Sequence, residues 1–217
     1  IPGATNATLE LARVSFDHTG DYAVIVSNRF GQVTSSNALL AVVSVVSWGS
    51  NLYGEGSIPT DLTNVSAIGA RDHNSFVLLE SGTVVAWGDN YFGQTNVPPV
   101  LSNVVAVTFG GNFMFALKGD GTVTTTWGLA HVNPPPGLTQ VVAIAAGVHH
   151  ALLLQSNGLV VAWENDFYGA ATVPAGLSNV VAIAAGARHS LALKRDGTVA
   201  VWGDNSYGQR DVPAGLT

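Results

Sequence analysis

The histidines are the first residues in this sequence whose chemistry could define a site. Four pairs share one position in a repeated segment: His73-Asn74, Asn112-Phe113, His149-His150 and Arg188-His189. Imidazoles that converge from successive repeats could bind a metal ion. Two of these pairs place Asn74 and Phe113 where the others have histidine. The pattern therefore favours histidines that cap a turn and bond the backbone, and we expect no metal.

Carboxylates recur after the tryptophan of the repeat, at Asp89, Asp166 and Asp204. A calcium ion needs several oxygen ligands that converge on one point. Asp in a glycine-rich turn more commonly accepts hydrogen bonds from its own backbone. The sequence also has no Ser-His-Asp set, no phosphate-binding glycine loop and no HExxH motif. We therefore expect no catalysis and no cofactor.

These residues belong to a repeat that must position them. Its four copies begin at Asn64, Asn103, Gln140 and Asn179. The starts are 39, 37 and 39 residues apart, and a fixed period of this size is typical of stacked or radially repeated units. Within the last copy, apolar runs cover 180–185, 190–194 and 198–202. The pattern predicts three strands and a weak fourth per repeat, which suits the blade of a β-propeller.

A pair ending in glycine separates the second and third apolar runs of every repeat. The four pairs are Ser81-Gly82, Asp120-Gly121, Asn157-Gly158 and Asp196-Gly197. Asp-Gly and Asn-Gly indicate β-hairpins, because a type I′ turn needs positive φ at both central residues. We therefore expect a type I′ hairpin in each repeat.

Composition and charge exclude several classes of function. The 217 residues are 47% hydrophobic and only 10% charged, and no apolar stretch is long enough to span a membrane without interruption. The net charge of −6, with eight Lys and Arg spread singly, argues against nucleic-acid binding. The absence of cysteine excludes disulfides and thiolate metal sites. Low charge with abundant Thr, Ser and Asn is typical of an extracellular or cell-surface protein of bacterial origin.

Residues 1–44 do not share the repeat and form the first predicted domain. Three strands are expected there, in residues 7–16, Asp21–Asn28 and Gln32–Val43. The segment resembles the carboxy-terminal half of an immunoglobulin-like domain through Gly20 and Tyr22, with Val24 where that family has cysteine. The resemblance implies the last three strands of a sandwich and a tyrosine corner at Tyr22. The alternative is any three-stranded sheet.

Residues 45–63 match only the tail of a repeat, with Trp48 aligned to the tryptophans of the four complete copies. The second predicted domain, 45–217, therefore holds four repeats and a half-blade. In a closed propeller, strands from the far end complete such a half-blade. Those strands would have to follow Thr217, so we expect an open ring in this chain alone.

The motifs VVAWGDNYFGQTNVP and AIAAGARHSLALKRDGTVAVWGDNSYGQ recur in register through residues 45–217. They resemble the regulator of chromosome condensation (RCC1) family in a compact bacterial form, similar to the β-lactamase inhibitory protein type II family. The resemblance implies an all-β propeller, preceded here by the partial immunoglobulin-like sandwich. Propellers of this type serve as exchange factors, inhibitors and scaffolds, so the fold does not fix the function.

Side chains in turns or at strand starts are the candidate protein-binding residues: Tyr91, Phe92, Phe113, His150, Phe167 and Tyr207. Loops on one face of a rigid ring commonly carry binding sites, and aromatic residues are common anchors. The alternative is that Phe92 and Tyr207, which share one register with Tyr168, are packing residues.

Two functional hypotheses follow. The first is a non-catalytic extracellular structural protein, either part of a repetitive bacterial surface protein or a self-assembling fibre subunit. In the fibre, neighbours would complete the modules head to tail by strand exchange. The second is a protein-binding or inhibitory propeller module that uses its aromatic loop face. In both, the partner is a protein, either another copy or a different chain, with no nucleic acid and no membrane span.

Overall fold

The computed structural model describes residues 20–40, 45–60, 62–124, 127–128, 134–164, 166–213 and 215. The regular secondary structure in these ranges consists of β-strands, and every strand pairing is antiparallel. The described ranges contain no helix that could cross a membrane. The chain divides into two compact units, Ile1–Val46 and Ser47–Thr217.

The described part of the first unit contains four short strands: β1 (Gly20–Tyr22), β2 (Ile25–Asn28), β3 (Gly31–Thr34) and β4 (Ala38–Leu40). Strand β1 pairs with β4, and β2 pairs with β3. Each of the two expected strands in this range is thus divided in two. At Val24 the backbone N–H donates to the hydroxyl of Ser35 at 2.9 Å, so a side chain interrupts the ladder. The strand expected at 7–16 lies outside the described residues, and the immunoglobulin-like assignment stays a prediction.

The second unit contains four three-stranded sheets, which we call blades 1 to 4. Blade 1 has β5 (Val65–Arg71), β6 (Asn74–Leu79) and β7 (Val84–Gly88), and blade 2 has β8 (Val104–Phe109), β9 (Phe113–Lys118) and β10 (Trp127–Gly128). Blade 3 has β11 (Val141–Ala146), β12 (His150–Gln155) and β13 (Val160–Glu164), and blade 4 has β14 (Val180–Ala185), β15 (His189–Lys194) and β16 (Val199–Gly203). The three expected strands per repeat are present.

The weak fourth strand expected in each tail is not found in the described tails, which form turns. After blade 1, for example, the N–H of Gly93 donates to the carbonyl of Asn90 at 3.1 Å, and the N–H of Asn96 donates to Gly93 at 3.1 Å. These local bonds occupy the backbone groups that a fourth strand would have to offer its neighbour.

The hairpins between second and third strands lie where the sequence predicts them, but the predicted turn type is wrong. Gly197 has a φ of 88°, whereas Asp196 is not among the residues with positive φ. The N–H of Gly197 donates to Lys194 at 3.0 Å, which defines a type I turn followed by a bulge glycine. Asp196 accepts bonds from the hydroxyl and the N–H of Thr198, at 2.6 and 3.0 Å, and these bonds lower its pKa to about 2.

The core lies between the blades. One leucine in each of blades 1 to 3 shows this: Leu78, Leu117 and Leu154 share a register and are only 4%, 3% and 3% exposed, because the next blade covers each of them. Burial of one such side chain stabilises the fold by about 1.5–3 kcal/mol. A backbone bond joins each hairpin to the following blade, as from the N–H of Val104 to the carbonyl of Gly82 at 3.3 Å. Each repeat is thus held by its neighbours in the chain.

Candidate protein-binding rim

Three side chains hold the tail of blade 1 in one conformation. The carboxylate of Asp89 accepts a bond from the N–H of Tyr91 at 3.0 Å, and the Gln94 amide oxygen accepts one from the N–H of Phe92 at 2.9 Å. Gln94 is 2% exposed and also donates to Asp89 at 3.2 Å. The Asn90 side chain accepts the backbone N–H five residues further on, at 3.1 Å. The turn is therefore rigid without any contribution from the side chains of Tyr91 and Phe92.

The tail before blade 1 and the tail of blade 4 repeat this brace, whereas in the tail of blade 3 Asp166 supplies only the equivalent of the Asn90 bond, accepting the N–H of Ala171 at 2.6 Å. In the tail of blade 4, the N–H groups of Ser206 and Tyr207 donate to Asp204 and Gln209 at 2.9 and 2.7 Å. In each tail, two residues lie in the middle of the turn, and their side chains take no part in the brace, except that the Ser206 hydroxyl donates to Asp204. We call them the first and second rim positions. The first is Leu52, Tyr91, Phe167 and Ser206, and the second is Tyr53, Phe92, Tyr168 and Tyr207.

The second rim position packs on the next blade. The ring of Tyr53 lies 4.1 Å from that of His73, and the guanidinium of Arg188 lies 4.5 Å above the ring of Tyr168. In both cases the partner follows 20 residues later, in the loop before the second strand. Tyr207, for which the chain supplies no residue at that distance, is 91% exposed. These contacts support the interpretation of this register as packing.

The first rim position points to solvent. Leu52, Tyr91 and Phe167 are 87%, 84% and 81% exposed. Single exposed apolar residues are ordinary on a protein surface. Here, however, three large side chains occupy the same place on equivalent turns, along one edge of the series of blades. The rigid turn presents each one at little cost in conformational entropy, which is the arrangement that favours a contact surface.

The edge is also fixed relative to the sheets. The carbonyl of Glu55, which follows the first rim pair, accepts bonds from the indole Nε1 of Trp87 and from the hydroxyl of Ser75, both at 2.9 Å. Two equivalent bonds from blade 4 hold the carbonyl of Ala170. Each of these tails is therefore attached to the blade that follows it.

Two candidates from the sequence lie in the core. Phe113 is 4% exposed and stacks on Phe115 with ring centroids 5.9 Å apart. His150 is 1% exposed, and its Nε2 lies 2.9 Å from the hydroxyl of Ser190 in the next blade. Burial lowers the pKa of His150 to about 4. Both residues begin a strand, and the loop before them turns their side chains inward, so neither offers a surface to a partner.

The acidic residues of the tails serve the turns. Asp204 accepts bonds from the hydroxyl and the N–H of Ser206, and these bonds lower its pKa. In the part of the chain that the structure describes, no group of three or more His, Asp or Glu side chains could hold a metal ion.

Sequence reasoning missed Leu52 and Arg71. Leu52 escapes a search for aromatic residues, although its register matches that of Tyr91. Arg71 ends β5, and its Nη1 donates to the carbonyls of Phe109 and Ala146 at 3.3 and 2.9 Å. The sequence feature that could have revealed Arg71 is that the three other repeats have glycine at this position.

One known protein family and several solved structures are similar to this chain. The family described as Regulator of chromosome condensation (RCC1) repeat matches residues 65–94 and 180–209, which cover the strands and rim pairs of blades 1 and 4. These two segments thus match RCC1-type repeats. Comparison with curated protein sequences found no match.

Three solved structures are similar to this chain in three dimensions. Prp20p from Saccharomyces cerevisiae is 20% identical, with a TM-score of 0.58 over 67% of this chain and 47% of that one. The ectodomain of receptor kinase CR4 from Physcomitrella patens is 23% identical, with a TM-score of 0.61 over 71% and 45%. The ectodomain of receptor kinase ACR4 from Arabidopsis thaliana is 23% identical, with a TM-score of 0.54 over 72% and 59%.

The chain therefore spans about half the length of these proteins. At such identities the likeness shows the fold, which is that of RCC1-type β-propeller blades.

Proposed function

We propose that this chain is a non-catalytic extracellular or cell-surface protein whose blades bind another protein through the first rim position. The observation that supports this most is the exposure of Leu52, Tyr91 and Phe167 on turns that are braced without them. Their apolar area has no partner among the described residues beyond the edge contact of Tyr91 with Phe92. Burial against a partner would release about 25 cal/mol for each Å² of apolar surface.

The structural neighbours point the same way, because Prp20p binds other proteins, namely Gsp1p and histones. Two further neighbours are ectodomains of receptor kinases. The identity of the partner does not carry over from them, since the likeness is one of fold.

The chain itself supplies the test variant. The tail of blade 4 has serine at the first rim position. The double variant Tyr91→Ser with Phe167→Ser therefore gives the tails of blades 1 and 3 a residue that this chain already has at that position. The control is Phe30→Ser, which removes a side chain of equal exposure, 82%, from the first unit. Surface and secreted proteins of the source organism are captured on each form, and every captured protein is purified and titrated against all three.

A partner that binds wild type and the Phe30→Ser form, and that loses at least tenfold in affinity on the rim variant, is the expected result. Equal binding to the rim variant would show that the rim is not the site. A search that yields no directly binding protein would overturn the proposed function.

A second proposal is the structural one, self-association into a repetitive surface or fibre protein. It is favoured by two apolar side chains that are exposed to solvent, although residues at the equivalent positions of other repeats are buried. Leu193, in the register of the buried leucines, is 38% exposed, and Trp48 is 86% exposed where Trp202 is 5%. Sedimentation velocity over a range of protein concentrations tests it. Growing head-to-tail oligomers that Leu193→Asp abolishes are expected, and a monomer at every concentration would contradict self-association.

A further inference from the structure

A cleft lies where the first strands of blades 1 and 2 end. Its volume is about 370 Å³. Its walls are formed by residues 68–71 of β5, Phe76, residues 107–109 of β8 and Ala146. Small-molecule sites commonly have about 300–1,000 Å³, with apolar walls and a few polar groups. Arg71 is the one charged side chain among these lining residues.

Arg71 replaces a packing arrangement that the three other repeats share. Their residues at this position are Gly110, Gly147 and Gly186. A Cβ added at any of them would lie 2.1 Å from the ring three residues later, which belongs to Phe113, His150 or His189. In blade 1 that later residue is Asn74, which has no ring and turns its amide to the carbonyl of Asp89 at 2.6 Å. The smaller side chain leaves room for the arginine and opens the cleft.

The hydrogen bonds of Arg71 go only to neutral groups, and its ion pair with Asp72 is long. Its Nη1 donates to two carbonyls, while the nearest carboxylate oxygen, of Asp72, is 3.7 Å from Nε. The Asp72 side chain is 61% exposed and that of Arg71 only 22%, so the aspartate charge lies largely in water. Burial lowers the pKa of the guanidinium in spite of Asp72. A charge that is partly removed from water and only weakly paired is unfavourable, and an anion in the cleft would relieve this.

The shape of the guanidinium and the walls indicate which anion. Nη2 has no partner among the described residues, and a guanidinium recognises carboxylates with two parallel N–H donors. Most of the lining side chains around it are apolar, although Thr108 and backbone polar groups also line the cleft, and Ile68 at the cleft is 70% exposed. We propose that this cleft binds a carboxylate attached to an apolar body, either the carboxyl terminus of another protein or a free organic acid.

The proposal is independent of the rim and is tested by calorimetric titration of the whole chain. The free-acid probe is N-acetyl-leucine, and the peptide probe is an octapeptide that ends in leucine. Each is compared with its carboxamide, which keeps the apolar body and removes the charge. Arg71→Met keeps most of the apolar stem and removes the donors. Ile68→Glu brings a competing carboxylate to a largely exposed position, so binding can be lost while the fold is kept.

We expect at least one acid to bind with a Kd below about 1 mM, which corresponds to about −4 kcal/mol. Its amide, and both variants, should bind at least tenfold more weakly. The rim serine variant should bind as wild type does. Preference for the octapeptide identifies a protein terminus, and equal binding of N-acetyl-leucine identifies a free acid. Failure of both acids to bind, equal binding of acid and amide, or full binding by a folded Ile68→Glu chain would overturn the proposal.

Discussion

The indole Nε1 of Trp202 donates a hydrogen bond of 2.8 Å to the backbone carbonyl of Ala170, 32 residues earlier in the chain. The hydroxyl of Ser190 donates to the same oxygen at 2.8 Å. Trp87 makes the equivalent bond to Glu55, also across 32 residues. A carbonyl oxygen has two lone pairs, and the following blade satisfies both. This bond between tail and blade thus recurs in blades 1 and 4, whereas the buried indole Nε1 of Trp163 in blade 3 has no hydrogen-bond partner among the described residues.

Removing both donors to Ala170 should cost more than the sum of the single changes. Trp202→Phe and Ser190→Ala each leave the carbonyl with one donor, and each should lower the free energy of unfolding by about 1–2 kcal/mol. The double variant leaves a buried acceptor unpaired, so we expect an additional loss of about 1 kcal/mol. Urea unfolding of the four proteins measures this cycle. Strict additivity would show that the two donors do not act on one acceptor.

Stability should fall as the pH is lowered from about 6.5 to about 4. Burial lowers the pKa of His150 from 6.5 to about 4, so in this window the unfolded chain binds a proton that the folded chain does not. The stabilising effect of neutral His150 is complete above pH 6.5, and the slope below it approaches about 1.4 kcal/mol per pH unit. Chemical unfolding at several pH values measures the slope.

The variant that tests this slope is His150→Phe. It gives blade 3 the residue that blade 2 has at this position, Phe113, and keeps a ring there. It should flatten the pH dependence between 6.5 and 4.5. His149→Phe, at the exposed neighbouring position, is the control for the loss of an imidazole. An unchanged slope in the His150 variant would assign the titration to another group. Asp196, with a pKa of about 2, acts only at lower pH.

Glycine and the ring three residues later should behave as one unit. Gly186→Ala places a Cβ 2.1 Å from the His189 ring, and we expect a loss of about 1–3 kcal/mol. Adding His189→Asn should recover part of this loss, because Arg71 and Asn74 show that a side chain at the first position is compatible with asparagine at the second. Thermal unfolding of the single and double variants measures the coupling. A double variant less stable than Gly186→Ala would contradict it.

The brace of the rim, and not the rim side chains, should control how rigid the turn is. In Asn90→Ala the N–H of Thr95 loses its acceptor, so its hydrogen exchange should become about tenfold faster, which corresponds to about 1.4 kcal/mol. Tyr91→Ala should leave that rate unchanged, because the Tyr91 side chain is 84% exposed. Exchange measured by NMR distinguishes the two. Equal effects of both substitutions would show that Tyr91 holds the turn.

Much of the fold follows from periods and turn residues. The copies that begin at Asn64 and Asn179 show three apolar runs, and those runs became strands because each blade needs a face for its neighbour. The turn type did not follow, since Asp196 bonds Thr198 through its side chain and keeps an ordinary φ. A dipeptide signal cannot distinguish this turn from a type I′ turn.

The site was harder to predict than the fold, because exposure depends on the neighbouring blade. Phe113 and Tyr91 are both aromatic and both adjoin loops, yet they are 4% and 84% exposed. Their registers decide this: one begins the second strand and faces the next blade, whereas the other lies between the braces of a turn. Contacts across 20 residues, of Tyr53 with His73 and of Tyr168 with Arg188, distinguish the packed member of a rim pair from the exposed one.

Arg71 also bears on how a chain of this kind can gain or lose copies. A solenoid or propeller held by adjacent units can be lengthened or shortened by one unit, since each junction resembles the next. Arg71 reaches from blade 1 past its neighbour Phe109 in blade 2 to Ala146 in blade 3. Arg71 thus links the first three blades to one another. We therefore expect the duplication or deletion of a whole repeat to be least disruptive after blade 3.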